Sequence, residues 1–291
     1  MNIGFIGFGE AAYYIALGLS QNGIIGIRAS DIMQNHPAMG QQIRDRANEA
    51  QVKLIKDQKE VARWADVLFA AVPSSFTMDV CDTVRDELRP GQIYVDVSAS
   101  SPAMKTAIWA RIKDTGVLFA DAAMLGSLPQ DRHQVPISAS GNGAGTFKEL
   151  MEPLGMRITV VGDKAGSASA IKLVRSIFMK GIASLMIETM QAADAYGVSE
   201  EIISSLGKSL DGISFIKHLD RLVTGSALHC RRRAVELDGS IAMLEEKGIM
   251  SDMTVATKHR LEALEPYGFA EKYASTKPQG YAEIIETIRP E

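Results

Sequence analysis

Apolar residues in the first half of this 291-residue chain come in short runs, and in the second half they come at helical spacing. Asn2 to Ile6 (NIGFI) is a strand-like run that passes through Gly7-Phe8-Gly9-Glu10-Ala11-Ala12 into a helical stretch from Tyr13 to Ser20. A second strand is expected over Ile24 to Ser30 and a short third over Val52 to Ile55. Asp66 to Val72 (DVLFAAV) is apolar almost throughout, the pattern of a parallel strand covered on both faces. Further strands are predicted at 92–97, 117–121, 134–139 and 157–161, with helices at 58–64, 76–88, 102–113 and 144–154 between them. Strands alternating with helices in this way predict an α/β domain built on a doubly wound, mainly parallel sheet.

The pattern changes near residue 163. No proline interrupts Lys164 to Tyr196, and Ile171, Val174, Ile177, Phe178, Ile182, Leu185 and Met186 recur every three or four positions. A helix of that length suggests a spine shared between domains or subunits. Four more helices are predicted at 200–210, 213–224, 229–247 and 250–264, with no strand signal among them. The expected division is therefore 1–163 for the sheet domain and 164–291 for an all-α C-terminal domain. A spine helix with apolar residues around most of its circumference needs partners on several sides, so a homodimer or higher homo-oligomer is expected.

Composition narrows the class of protein. A net charge of −4 and a pI near 5.8 leave no electrostatic footprint for nucleic acid or an anionic membrane. No apolar run is long enough to span a bilayer, and no signal-like segment opens the chain, so a cytoplasmic protein is expected. The two cysteines, Cys81 and Cys230, have no partner spacing and read as buried free thiols. The five histidines show no ligand spacing, so no metal site is expected, and no nucleophile elbow is present.

Candidate chemistry gathers at strand ends. G-x-G-x-x-A directly after the first strand is where a dinucleotide-binding (Rossmann) domain places its phosphate turn. Gly7 allows the turn, Gly9 lets the backbone approach a pyrophosphate, and the small Ala12 lets the helix pack on the strand. The free N–H groups of the helix start, over Phe8, Gly9, Glu10 and Ala11, then face the phosphates. Asp31 closes the second strand 19 residues after Ala12, where a carboxylate accepts ribose hydroxyls and repels a 2′-phosphate; NAD is thus preferred over NADP. Val72-Pro73-Ser74 ends another strand and is either part of the cofactor site or a plain turn. Ser98, Ala99 and Ser100 follow the next strand, where open sheets bind ligands, although Ser98 or Ser100 could simply cap the helix at Pro102. Lys172 stands in an otherwise small, apolar run at the start of the long helix, with Arg175 one turn on. Desolvated beside that cation, its amine should release its proton more readily than an ordinary lysine, as a general acid/base requires. Arginine at 175 suits capture of an acidic substrate. The Arg231-Arg232-Arg233 run reads as a solvated face or an ion-pair site with Glu236, and less readily as a cross-subunit substrate contact.

Taken in order, four motifs resemble the β-hydroxyacid dehydrogenase and 6-phosphogluconate dehydrogenase superfamily. They are the Gly7–Ala12 fingerprint, Asp96-Val97-Ser98-Ala99-Ser100-Ser101-Pro102 for D-x-S-T-x-x-P, Asp121 to Ser127 as a weaker D-A-P-V-S-G-G, and Ser167 to Ser176 for G-x-x-x-K-x-x-N-N. The His229 to Ala234 run (HCRRRA) resembles a less characterised branch with its own C-terminal helical domain. The resemblance implies an NAD(P)-dependent oxidoreductase with Lys172 on the catalytic lysine, and with Ser98, Ala99, Ser100, Gly126, Arg175 and Ser176 at the substrate. The implied substrate is a small acidic hydroxy or keto compound of the 3-hydroxy acid type, with decarboxylation after oxidation an option. Departures are clear: Arg175 and Ser176 replace the two asparagines, Leu125 replaces a serine, and Met179 stands where 6-phosphogluconate dehydrogenases carry a glutamate. Two alternatives stay open, an imine reductase on the same architecture and a dinucleotide-binding sensor whose catalytic site has decayed.

Overall fold

The short apolar runs of the first half become eight strands of one sheet. These are β1 (Ile3–Ile6), β2 (Arg28–Ser30), β3 (Lys53–Leu54), β4 (Val67–Ala70), β5 (Ile93–Asp96), β6 (Leu118–Met124), β7 (Pro136–Ser140) and β8 (Arg157–Gly162). Their order is β3-β2-β1-β4-β5-β6-β7-β8, and every neighbouring pair is parallel except β6 with β7. In the computed structural model, which describes residues 1–290, this sheet lies in the first of two compact units, Met1–Ile177; the second is Phe178–Glu291.

Alternation along each strand sends side chains to both faces. One face carries Phe5 and Phe69, stacked with ring centroids 4.8 Å apart, with Ile15 and Phe147 in the same core. The other carries Leu68, Tyr94 and Phe119, packed with Val61 and Ile108. Helices α1 (Glu10–Gln21), α2 (Gly40–Glu49), α3 (Gln58–Trp64), α4 (Thr77–Val84), α5 (Pro102–Ile112), α6 (Leu128–Asp131) and α7 (Ala144–Met151) connect the strands. Each aromatic ring fully buried here contributes about 1.5–3 kcal/mol of transfer free energy. Cys81 is buried in the second core, and burial pushes its thiol up to about 12, which leaves it inert.

The second strand is shorter than its apolar run predicts. Ile25 lies 85% exposed and Gly26 takes a φ of +78°, so the chain turns there and pairing starts only at Arg28. Helix α2 escapes the apolar pattern because only Gly40, Ile43 and Ala47 of its ten residues are buried.

Helix α8 (Ser167–Ala195) runs 29 residues. The second unit continues through α9 (Ser199–Leu210), α10 (Phe215–Leu228), α11 (Cys230–Glu246), α12 (Asp252–Glu262), α13 (Phe269–Lys272) and α14 (Tyr281–Thr287). Its cores are small: Ala227, Phe269, Tyr273 and Ile284 form one, and Cys230, Ala234 and Leu261 another. Helix starts in this unit are finished by carboxylates from elsewhere in the chain. Glu188 of α8, itself buried, accepts the N–H groups of Met253 and Thr254 at the start of α12, both at 2.9 Å. Asp220 of α10 accepts the Tyr281 N–H at the start of α14. In the arginine run Arg232 pairs with Glu236, Arg231 with Glu265, and Arg233 donates to the Ser226 hydroxyl.

Candidate active site in the first unit

Gly7 follows β1 at a φ of +83°, and its N–H donates to the Ser30 carbonyl at 2.8 Å. A Cβ there would lie 2.5 Å from the Ala71 carbonyl oxygen, so only glycine fits. At Gly9 a Cβ would meet no atom within 4 Å, which leaves the backbone open to close approach at the N-terminus of α1. The first intrahelical bond runs from the Tyr13 N–H to the Gly9 carbonyl, so the N–H groups of Glu10, Ala11 and Ala12 have no partner within the helix. Ala12 is buried against the sheet, and the Phe8 ring packs edge-on to Phe5 in the core.

Asp31 bridges this turn to the end of β2. One carboxylate oxygen accepts the Phe8 N–H and the other the Met33 N–H, both at 2.7 Å. A carboxylate has about four acceptor sites, so each oxygen keeps capacity for a ribose hydroxyl. Gly7, Gly9, Asp31, Val72 and Pro73 line one cleft of about 390 Å³. Ser74 opens the exposed 3₁₀ turn that follows and does not line it.

The second group of predicted residues follows β5. Ser98 and Ser100 are buried, and their hydroxyls lie 2.7 Å apart; Ala99 between them is exposed. Neither serine caps α5. That role belongs to Ser101, whose hydroxyl accepts the Met104 N–H at 3.2 Å, with Pro102 as the first helical residue. The serine pair holds two hydroxyl hydrogens and uses one between its members, which leaves one free to donate.

Beneath the pair lies a cluster that the sequence did not single out. Lys105 of α5 has no exposed surface; its ammonium donates to the carbonyls of Asp96 and Ser98 and to the Ser98 hydroxyl at 3.0, 2.9 and 3.3 Å. It also pairs with the carboxylates of Asp96 at 2.9 Å and Asp121 at 3.6 Å. Asp121 in turn accepts the N–H and hydroxyl of Ser169 at 2.9 and 2.7 Å, and Ser140 accepts the Ala168 N–H. The start of α8 is thus capped from β6 and β7. One signal was legible: two aspartates buried on adjacent strands require a buried counter-cation.

Lys172 comes three residues after Ser169 and is half-buried. Burial first, and the Lys105 charge second, hold its amine below the usual lysine range, while Asp121 acts the other way. Arg175 is exposed and Ser176 half-buried on the same helix. Gly126 is on the β6–β7 connection, where a Cβ would meet Asp131 and Pro136.

The family described as NADP oxidoreductase, coenzyme F420-dependent, matches residues 2–100, and a domain of unknown function (DUF1932) matches 193–264. An uncharacterized 28.5 kDa protein of Methanothermus fervidus is 28% identical over 91% of this chain and 99% of its own. A solved conserved protein, described as structurally similar to 3-hydroxyacid dehydrogenases, is 28% identical over 91% of this chain and 98% of that one, with a TM-score of 0.62. The fold is that of 3-hydroxyacid dehydrogenase-like proteins. An imine reductase from Pseudomonas sp. shares this fold, with a TM-score of 0.74 over 99% of both chains at 15% identity. The family that matches residues 2–100 is one of NADP oxidoreductases. The open backbone at Gly9, the unpaired N–H groups of α1 and the spare acceptor sites of Asp31 fit a nicotinamide dinucleotide cofactor. Among the described residues no helix is long and apolar enough to cross a membrane.

Proposed function

We propose that this chain transfers hydride between a nicotinamide cofactor, NAD in preference to NADP, and a small acidic hydroxy or keto substrate of the 3-hydroxy acid type. The observation that carries the reading is the half-buried Lys172 amine, held below the ordinary lysine range one turn beyond a buried carboxylate. Bound nicotinamide supplies or accepts the hydride. Residues 7–12, Asp31, Val72 and Pro73 hold that cofactor. Lys172 takes the hydroxyl proton during oxidation and returns it during reduction. The free serine hydroxyl hydrogen of the Ser98–Ser100 pair and the exposed Ala99 backbone orient the substrate. Gly126, Arg175 and Ser176 complete its contacts, with Arg175 as the anchor for an acidic group. Cofactor binding falls to residues 1–163, and substrate selection and dimerisation to 164–291.

Fluorescence titration with NADH and NADPH, followed by a panel of small hydroxy and keto acids, tests this reading. NADH is expected to bind about tenfold or more tightly than NADPH, and Asp31→Ser to erase most of that gap. Equal binding of the two by the wild type would remove Asp31 from the specificity site. Turnover confined to cyclic imines would move the assignment to an imine reductase.

The partner of the second unit is proposed to be a second copy. Ile187 and Val235 are 63% and 65% exposed, and Ile203, Phe215 and Ile216 also lie open on its helices. Light scattering at micromolar concentration should give at least twice the 31.5 kDa chain mass. A monomer would contradict it.

A further inference from the structure

Two aspartates lie side by side on neighbouring strands, one at the end of β5 and one in the middle of β6. Asp96 on β5 pairs in register with Asp121 on β6, and neither has exposed surface. Adjacent buried carboxylates repel, and each is costly to remove from water. Lys105 answers both: its ammonium reaches from α5 to the two carboxylates, while Thr77 donates to the far oxygen of Asp96 at 3.1 Å. The same ammonium grips the Ser98 carbonyl at 2.9 Å, and the Asp121 that it touches caps the first turn of α8. One buried cation therefore joins the serine loop to the helix that carries Lys172. Its engagement by two carboxylates makes it a donor to the Ser98 hydroxyl, not a base acting on it.

We propose that Lys105 is a positioning residue: its buried ammonium ties the Ser98–Ser100 loop to the start of α8, one helical turn before Lys172. The inference rests on the reading of Lys172 as the proton carrier and deepens it. Two carboxylates and one ammonium leave a single net negative charge in the cluster. At Lys172 that cluster acts through opposed charges, Asp121 from β6 holding the proton on and Lys105 from α5 pushing it off. Asp96 of β5 is paired to Lys105, and Arg175, on Lys172's own helix, is exposed. Lys105 thus offsets Asp121 and keeps the Lys172 amine ready to act as a base. It also fixes the backbone on which the serine hydroxyls sit.

Trace acetylation of the full-length protein with acetic anhydride, read by peptide mass spectrometry, follows how Lys172 reactivity rises with pH, with no substrate needed. Asp121→Asn is expected to move that rise down by about half a pH unit or more, and Lys105→Met to move it up by a similar amount. Water admitted by a loosened helix start would strengthen the amine's hold on its proton, so a downward shift in Asp121→Asn is not what mere loosening produces. An unmoved or upward-shifted profile in Asp121→Asn overturns the proposal, as does a folded Lys105→Met with the wild-type profile. Should Lys105→Met fail to fold by circular dichroism, Lys105→Gln, which keeps a hydrogen-bond donor and drops the charge, is read in the same assay, and a wild-type profile there overturns the proposal. The two readings fail separately. The expected shifts without Lys172-dependent hydride transfer leave the cluster standing and remove the acid–base role, whereas Lys172-dependent turnover with unmoved profiles does the reverse.

Discussion

Lys172→Ala is expected to lower hydride transfer by about 10²–10⁴-fold, the usual contribution of a positioned general acid/base. NADH binding, read by cofactor fluorescence, should be unchanged, because the glycine turn and Asp31 make no hydrogen bond to this residue. The wild-type pH profile carries the matching sign. Oxidation needs the neutral amine, so its rate should rise with pH, along a limb below the usual lysine range because burial disfavours the charged form. Reduction needs the ammonium and should fall along the same limb. Turnover that survives Lys172→Ala with an unaltered pH limb would assign the proton to another group.

Lys105→Met is expected to cost the first unit about 3–5 kcal/mol, the penalty for stranding buried charge. For a unit of this size that corresponds to a fall in unfolding temperature of roughly 6–20 °C. Both tryptophans of the chain, Trp64 and Trp109, lie in this unit, so their fluorescence reports on it alone. A loss below about 1 kcal/mol, the scale of an exposed pair, would mean that the two carboxylates find another counter-ion or take up protons.

The sheet was legible because its code is short-range. The middle of DVLFAAV, Val67–Ala70, became β4, buried at each of its positions, and the glycine turn fell where the strand-to-helix junction predicts it. The strand over 24–30 was overread because Ile25 is apolar yet exposed, and burial, not composition, decides pairing. The serine site was half legible. Strand-end position pointed to Ser98 and Ser100, but only coordinates show that Ser101 takes the capping role and frees them. Lys105 escaped notice because a lysine on a short helix normally reads as solvated, and its partners are 9 and 16 residues away in sequence, at Asp96 and Asp121. In the run from Asp121 to Ser127, attention fell on Leu125 and Gly126, whereas the hydrogen bonds converge on Asp121.

The borrowed helix caps bear on how the chain acquires its structure. Helices α12 and α14 have no capping hydrogen bond from their own N-terminal residues and receive one from Glu188 and Asp220, 65 and 61 positions away. A segment holding α12 or α14 alone lacks the acceptor that ends its fraying, and short helices are marginal in water without such help. These two helices therefore gain their full boundaries only once α8 and α10 are in place. The contacts that finish these helices thus join segments far apart in sequence, which raises the contact order of this unit above that of neighbour-only helix packing.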